Sequence, residues 1–400
     1  MQYYSPWFRH LASRAELELK VFYLWDFGVK ESTDQTFQTS FVWDIPLLDG
    51  YAYEFITNHS HDPGTHHFRG LENPQAVETV AAWQPDAVLL FGYNYRTHLR
   101  LIFSRRLAKI PFYFRGDSHE LCLAAGWKSH ISRLLRGLIF RRFKGFFAVG
   151  QANAGYFRNC GIKSDKIHYV PHCVDNDRFQ AVAIQAKIDA TAWKQNMGIP
   201  LDSTVILFAG KFEEKKRPLD LLEAFLGMNQ NTEDGTKNSF SSLPNINHHQ
   251  SLPPILLFVG SGPLETTLRE AAGSELGRSV FIAPFQNQSR MPMVYAAGDL
   301  IALPSMGRGE TWGLVINEAF NLGIPAIVSS HVGCGPDLIL QSETGWIFPA
   351  GDAESLKQTL IEALSDPERL KQFGDRARNR ISNYSYDHAS QALCEALDRV

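Results

Sequence analysis

Cysteine is scarce. Five residues, Cys122, Cys160, Cys173, Cys334 and Cys394, are scattered over 400 positions, and no two form a C-x-x-C pair. That usage argues against a disulfide framework or a zinc ribbon. Long apolar runs are missing too. None reaches the roughly 18–20 residues needed to cross a bilayer, and the first residues lack the cationic, apolar, small-residue order of a secretion signal. A cytoplasmic chain is the expectation. Charge of one sign is not in excess: 39 Lys and Arg stand against 42 Asp and Glu, a net −3. Nothing global therefore points to nucleic acid as a partner. A complete dinucleotide fingerprint with its acidic ribose partner is not evident, so no nicotinamide cofactor is expected.

What is present describes a globular chain, with 44% hydrophobic and 20% charged residues. Its length exceeds one ordinary core, so two domains are expected. Strand-like apolar runs at 204–209, 255–259, 279–283, 299–303 and 324–329 are mostly separated by helical patterns at 219–225, 264–272 and 314–321. Such alternation predicts an α/β fold with a parallel sheet covered on both faces, a Rossmann-like domain. A similar rhythm at 19–25, 87–92, 111–115, 145–149 and 167–170, with helices at 97–108 and 129–143, predicts a second one. Ligands of two such domains are expected in the cleft at the sheets' carboxyl ends. The expected division is an N-terminal domain over 1–175, a linker over 176–200, and a C-terminal domain over 201–382. A flexible insertion is expected at 228–254, and a last helix at 383–400 crossing back to the first domain. The segment from Gln2 to Leu11 reads as the loop and first helix that follow an initial buried strand, with no such strand before it, so either the true start lies upstream or the first sheet position is empty.

One segment concentrates chemistry: Gly309-Glu310-Thr311-Trp312-Gly313-Leu314-Val315-Ile316-Asn317-Glu318-Ala319. A helix opening at Trp312 or Gly313 would aim unpaired N–H groups and its positive dipole end at an anion such as a diphosphate. One glutamate precedes that end and the other follows it, up to about 12 Å away at ~1.5 Å per residue. Each carboxylate accepts two hydroxyl hydrogen bonds, as a vicinal diol requires. Gly210-Lys211 and Lys216 follow the 204–209 strand, where cations neutralise phosphate oxygens or merely form a solvated loop. Gly260-Ser261-Gly262-Pro263 is too incomplete for a phosphate loop and reads as a turn that passes close to a ligand. His59, His61, His66 and His67, around Asp62-Pro63-Gly64, suit either a metal or an exposed loop.

Together these segments resemble the family 4 retaining glycosyltransferases of the GT-B fold, the glycosyl transferases of group 1. The likeness rests on Val170-Pro171-His172-Cys173-Val174-Asp175 with Arg178-Phe179, Gly210-Lys211 with Lys216, and Phe258-Val259-Gly260-Ser261-Gly262-Pro263. It continues through Tyr295-Ala296-Ala297-Gly298-Asp299, Leu303-Pro304-Ser305, and Glu310-x7-Glu318 with Gly323-Ile324-Pro325. The resemblance implies a hexosyltransferase of polysaccharide biosynthesis that uses a nucleotide-diphosphate sugar without a metal. Glu318 would bind the ribose and Glu310 the transferred sugar. Lys211 and Lys216 would hold the diphosphate with the amides of Gly313, Leu314 and Val315, beside Gly210, Thr311 and Trp312. The loop after Ile282 would face the base.

The N-terminal half matches less closely. After 111–115 come Asp117 and His119, near the place where the family carries a histidine beside the reacting sugar; a capping or loop role is the alternative. Lys128, Arg133, Arg136, Arg141, Arg142 and Lys144 alternate with leucines and other apolar residues. The pattern suits a membrane surface holding a lipid-linked acceptor, or an internal helix with a basic outer face. Trp43 and Tyr51 are acceptor-wall or core residues. The expected partners are thus a nucleotide sugar, a glycan, lipid-linked or small-molecule acceptor, and peripherally an inner membrane surface. A catalytically silent nucleotide-sugar binder and a nucleotide-sugar epimerase are the competing functions.

Overall fold

Strands rich in phenylalanine organise the first half of the chain. The computed structural model describes residues 2–27, 29, 32–34, 39–122, 135–230 and 252–398. One unit comprises Met1–Ser32, Phe41–Val174 and Ser385–Val400, the other Thr33–Ser40 and Asp175–Tyr384. In the first, β1 (Lys20–Tyr23) pairs in parallel with a strand at Ala52–Phe55; a separate two-stranded sheet, Ser32–Asp34 with Thr39–Phe41, falls mainly in the second unit. We number these β4, β2 and β3. A separate parallel sheet runs β5 (Val88–Phe91), β6 (Phe112–Gly116), β7 (Phe143–Ala148) and β8 (Ile167–Tyr169) in that order.

Alternation of side chains along β6, with a register irregularity in β7 between Phe143 and Gly145, builds two cores. Phe112, Phe114, Phe143 and Phe146 meet Phe140 and Phe157 on one face, mostly edge-on or tilted. Tyr113 and Phe147 face the other way, toward Trp7 and Phe8 of the helix Ser5–Ala12 and Leu393 of the helix Tyr386–Asp398. Trp7 Nε1 donates to Ser390 Oγ at 3.0 Å, so the last helix lies within the first unit. Among the described residues, the edge of β5 away from β6 carries no strand.

The second unit has six parallel strands in the order β11-β10-β9-β12-β13-β14: β9 Val205–Ala209, β10 Ile255–Val259, β11 Val280–Ala283, β12 Leu300–Leu303, β13 Ala326–Ser329 and β14 Gly345–Phe348. Nearly every residue of β9, β10 and β12 is fully buried, as a sheet covered on both faces demands.

Several expectations are revised. Residues 176–200 are not a linker but the helices Asn176–Ala181 and Ala183–Met197, part of the second unit. Asp175 caps the first by accepting from Arg178 N–H, Phe179 is fully buried, and Asn176 donates to the carbonyls of Ile381 and Tyr384. The helix expected at 97–108 is Arg96–Ile102; beyond it, Arg142 donates to the carbonyls of Leu107 and Ile110 at 2.7 and 2.8 Å. Of the basic helix expected at 129–143, residues 135–140 are helical and Phe143 already starts β7, while Lys128, Arg133 and Leu134 lie outside the described residues. The helix Pro218–Gln230 runs into the segment expected as an insertion, whose residues 231–251 also lie outside them. Among the described residues, no helix is long and apolar enough to cross a membrane.

Candidate active site

The carboxyl ends of β9 and β12 bring the first charged group together. Beyond β9, Gly210 and Lys211 lead to a 3-10 turn at Glu214–Lys216. Gly210 N–H donates to Val259 O and Phe212 N–H to Ser261 O, both at 3.0 Å, locking this turn against the turn after β10. A Cβ on Gly260 would sit 1.9 Å from the Gly210 carbonyl oxygen. The close approach expected at Gly260-Ser261-Gly262 is therefore backbone against backbone.

Lys216 Nζ donates to Glu310 Oε2, and the same oxygen accepts from Ser305 Oγ at 3.0 Å. The Lys216 and Glu310 side chains are only 14% and 10% exposed. Ser305 follows β12 directly, and its carbonyl accepts in turn from Ser329 Oγ at the end of β13. Met306 N–H donates to Lys215 O at 2.8 Å and Gly333 N–H to Glu310 O at 3.1 Å. Three strand ends thus fix the Glu310 carboxylate.

The helix Leu314–Asn321 begins where the sequence pattern places it. Gly313 caps it at φ +101°, where a Cβ would also press on Val332 and Leu303 at 3.0 and 3.1 Å. Its first-turn amides at Leu314 and Val315 precede any acceptor of the helix's own. Trp312, expected among the ligand-binding residues, turns its indole inward and donates to Asn317 Oδ1 at 2.7 Å. The buried indole leaves only the Trp312 backbone to face a ligand; Thr311 beside it is half-buried.

Glu318 lies about one turn into this helix and is 2% exposed. Oε2 accepts from the hydroxyl of Tyr295, on the helix Met291–Ala296. Among the described residues Oε1, though buried, has no hydrogen-bond partner. Burial pushes the carboxyl up to about 7, offset in part by the Tyr295 bond and the Arg178 charge. Arg178 donates to Gln288 O and Oε1 at 2.8 and 2.9 Å and lies over the Phe179 ring. Ile282 is half-buried within β11, and the segment after that strand is tied through Gln288 to the helix whose Arg178 also influences Glu318.

Asp117 and His119 belong to the first unit, just beyond β6. His119 is 4% exposed and its Nδ1 accepts from Leu121 N–H at 3.3 Å; Asn153 Nδ2 holds the neighbouring Ser118 carbonyl at 2.6 Å. Asp117 is half-buried. Tyr51 is core, its hydroxyl donating to Leu47 O. Sequence reasoning gave no role to Ser305, Tyr295 or Arg178, although all three stand in segments that carry the family likeness.

The family described as Glycosyl transferases group 1 matches residues 189–380. A D-inositol 3-phosphate glycosyltransferase of Xylanimonas cellulosilytica is 27% identical over 239 residues, 59% of this chain and 52% of that protein. The chain spans about half the length of the curated relatives it matches first. Anabaena Alr3699/HepE, solved in complex with UDP, superposes with a TM-score of 0.64 at 17% identity, covering 88% of this chain and 87% of its own. Sucrose-phosphate synthase from Thermosynechococcus elongatus gives 0.67 at 18% identity, covering 98% and 91%. At such identity the likeness establishes the fold, which is GT-B with a parallel α/β sheet in each unit.

Proposed function

We propose that this chain, which belongs to the glycosyl transferases group 1 family through residues 189–380, is a retaining, metal-independent glycosyltransferase. It moves a sugar from a nucleotide-diphosphate donor to a glycan, lipid-linked or small-molecule acceptor. The observation that carries this reading is the buried Glu318 carboxylate, one oxygen held by Tyr295 and the other without a hydrogen-bond partner among the described residues. An unsatisfied buried acceptor costs about 1–3 kcal/mol or more. A ribose hydroxyl donating to Oε1 removes that cost.

In this scheme the transition state is oxocarbenium-like at the anomeric carbon, while negative charge builds on the departing diphosphate. Lys211, Lys216 and the amides of Gly313, Leu314 and Val315 stabilise that charge in place, which is the chemistry a metal supplies elsewhere. Glu310, fixed by Ser305 and Lys216, accepts from the sugar hydroxyls. The donor phosphate helps remove the acceptor proton as it attacks the face the leaving group vacates, which retains configuration. Asp117 and His119 are assigned to the acceptor side.

For a lipid-linked acceptor, the basic groove of about 480 Å³ lined by Lys109, Arg141, Lys144 and Lys166 supports peripheral contact with an anionic, cytoplasmic membrane face. Exposed Leu135 and Leu138 lie just before it in sequence. Turnover of a panel of nucleotide sugars by the full chain tests the assignment. Glu310→Ala and Glu318→Ala are each expected to lower transfer by roughly 10²-fold or more while the fold persists. Unchanged turnover in both removes the donor site. Binding without turnover leaves a silent binder, and sugar interconversion without an acceptor reveals an epimerase.

A further inference from the structure

The histidine-rich segment of the first unit takes no part in the reading above. Residues 58–72 form a loop whose ends are cross-tied: Asn58 Nδ2 donates to Gly70 O at 2.8 Å, while its Oδ1 accepts from Ser60 N–H and Glu72 N–H at 3.0 and 2.9 Å. His59 N–H donates to Glu72 O at 2.8 Å and Gly64 N–H to Gly70 O at 3.1 Å. Outside the loop, the Tyr95 hydroxyl donates to Thr65 O and Arg96 N–H to Phe68 O, both at 3.0 Å. This backbone is held at many points before any side chain is considered.

Within it three donor atoms converge. Asp62 Oδ2 lies 2.9 Å from His66 Nε2 and 3.3 Å from His67 Nε2, and one such atom from each residue falls within 4.8 Å of the others. Ligands about 2.0–2.1 Å from a tetrahedral zinc stand about 3.3 Å apart, which these separations approach. Two imidazoles and one carboxylate suit zinc and its borderline neighbours, whereas magnesium and calcium require oxygen ligands.

We propose that Asp62 Oδ2, His66 Nε2 and His67 Nε2 bind one divalent cation of the zinc class, with water at the remaining position, clipping the loop 58–72. Both rings bind as neutral imidazoles. His67 Nε2 otherwise donates to Asp62 O at 2.9 Å, and its Nδ1 accepts from Arg69 N–H at 3.2 Å. On binding, the ring proton of each histidine moves from Nε2 to Nδ1: His66 gives up its bond to Asp62 Oδ2 and His67 its bond to Asp62 O, and the Arg69 amide turns away from His67. Exposure of the side chains allows this adjustment and gives the ion access.

The test is equilibrium dialysis of the chelator-stripped full chain against zinc chloride, with bound metal counted. One equivalent is expected, not displaced by excess magnesium. His67→Ala and Asp62→Asn are each expected to weaken binding at least about tenfold, while His61→Ala in the same loop leaves it unchanged. Unfolding midpoints of the metal-free variants, expected to match the parent, separate lost ligands from lost fold. If His67→Ala binds zinc as the parent does, or His61→Ala loses as much as His67→Ala, the proposal is wrong. The outcome does not depend on nucleotide-sugar binding.

Discussion

Lys216 and Glu310 are bonded directly, ammonium to carboxylate, 94 residues apart in sequence and shielded from solvent. The lysine proposed to hold the diphosphate and the glutamate proposed to read the sugar are therefore one electrostatic unit. A donor must share Lys216 with Glu310, so departure of the phosphate and orientation of the sugar are coupled. Lys216→Met leaves the Glu310 carboxylate buried, with Ser305 Oγ still donating to it at 3.0 Å but its cation gone. A loss of about 3 kcal/mol in stability is expected, as for other broken buried pairs. Adding Glu310→Gln should restore most of it, measured by urea denaturation. If the double variant is no more stable than Lys216→Met, the pair is not what holds the site.

Glu318 gives a pH signature. Its carboxyl is raised from 4.5 to about 7 in the folded state. Between those values the folded state keeps a proton that the unfolded state releases, so this group makes stability fall as pH rises and then level off above about 7. Glu318→Gln should remove that slope and gain on the parent across the same interval. Nucleotide binding should tighten as pH rises through 7, because the ionised carboxylate is the stronger acceptor, and should release a proton in calorimetry. Pursuing both in the parent and the variant separates a ribose contact from a purely structural acid.

Arg178 connects the segment after β11 to the helix that influences Glu318. Arg178→Ala is expected to weaken nucleotide affinity roughly tenfold, as loss of charged hydrogen bonds does, with a smaller change in kcat. Arg178→Lys should recover part of it. Equal affinity in all three proteins, read by calorimetry, places Arg178 outside donor recognition.

The second unit was the more legible half because its strands are continuous apolar runs between helices. Its order through Gly210, Glu310 and Glu318 matches that reading, and the helix Leu314–Asn321 starts at the expected glycine. Strand β14 escaped, since Gly345-Trp346-Ile347-Phe348 is short and glycine-led. Strand β4 escaped because its Ala52 and Tyr53 are exposed and give no buried run. The linker was misread for another reason. The helix Ala183–Met197 buries chiefly the small residues Ala186 and Ala190, so it shows little apolar stripe. The pairing of Tyr295 with Glu318 was invisible because 23 residues separate them and only the packing of two helices joins them.

Membrane contact has its own test. The parent is expected to co-sediment with vesicles of phosphatidylglycerol and not with phosphatidylcholine alone, with binding falling as salt rises. Replacing Lys109, Arg141, Lys144 and Lys166 by glutamate should abolish it without changing turnover of a water-soluble acceptor. Retained binding by that variant contradicts the groove as the contact.

The central claim is that the second unit binds a nucleotide-diphosphate sugar through Glu318. Thermal unfolding of the full chain with uridine, guanosine and adenosine diphosphate sugars tests it most directly. At a hundred times Kd, one base class should stabilise the fold by about 2.7 kcal/mol, a rise of roughly 5–10 °C, and Glu318→Ala should abolish the rise. No shift with any donor, or an equal shift in Glu318→Ala, contradicts the account.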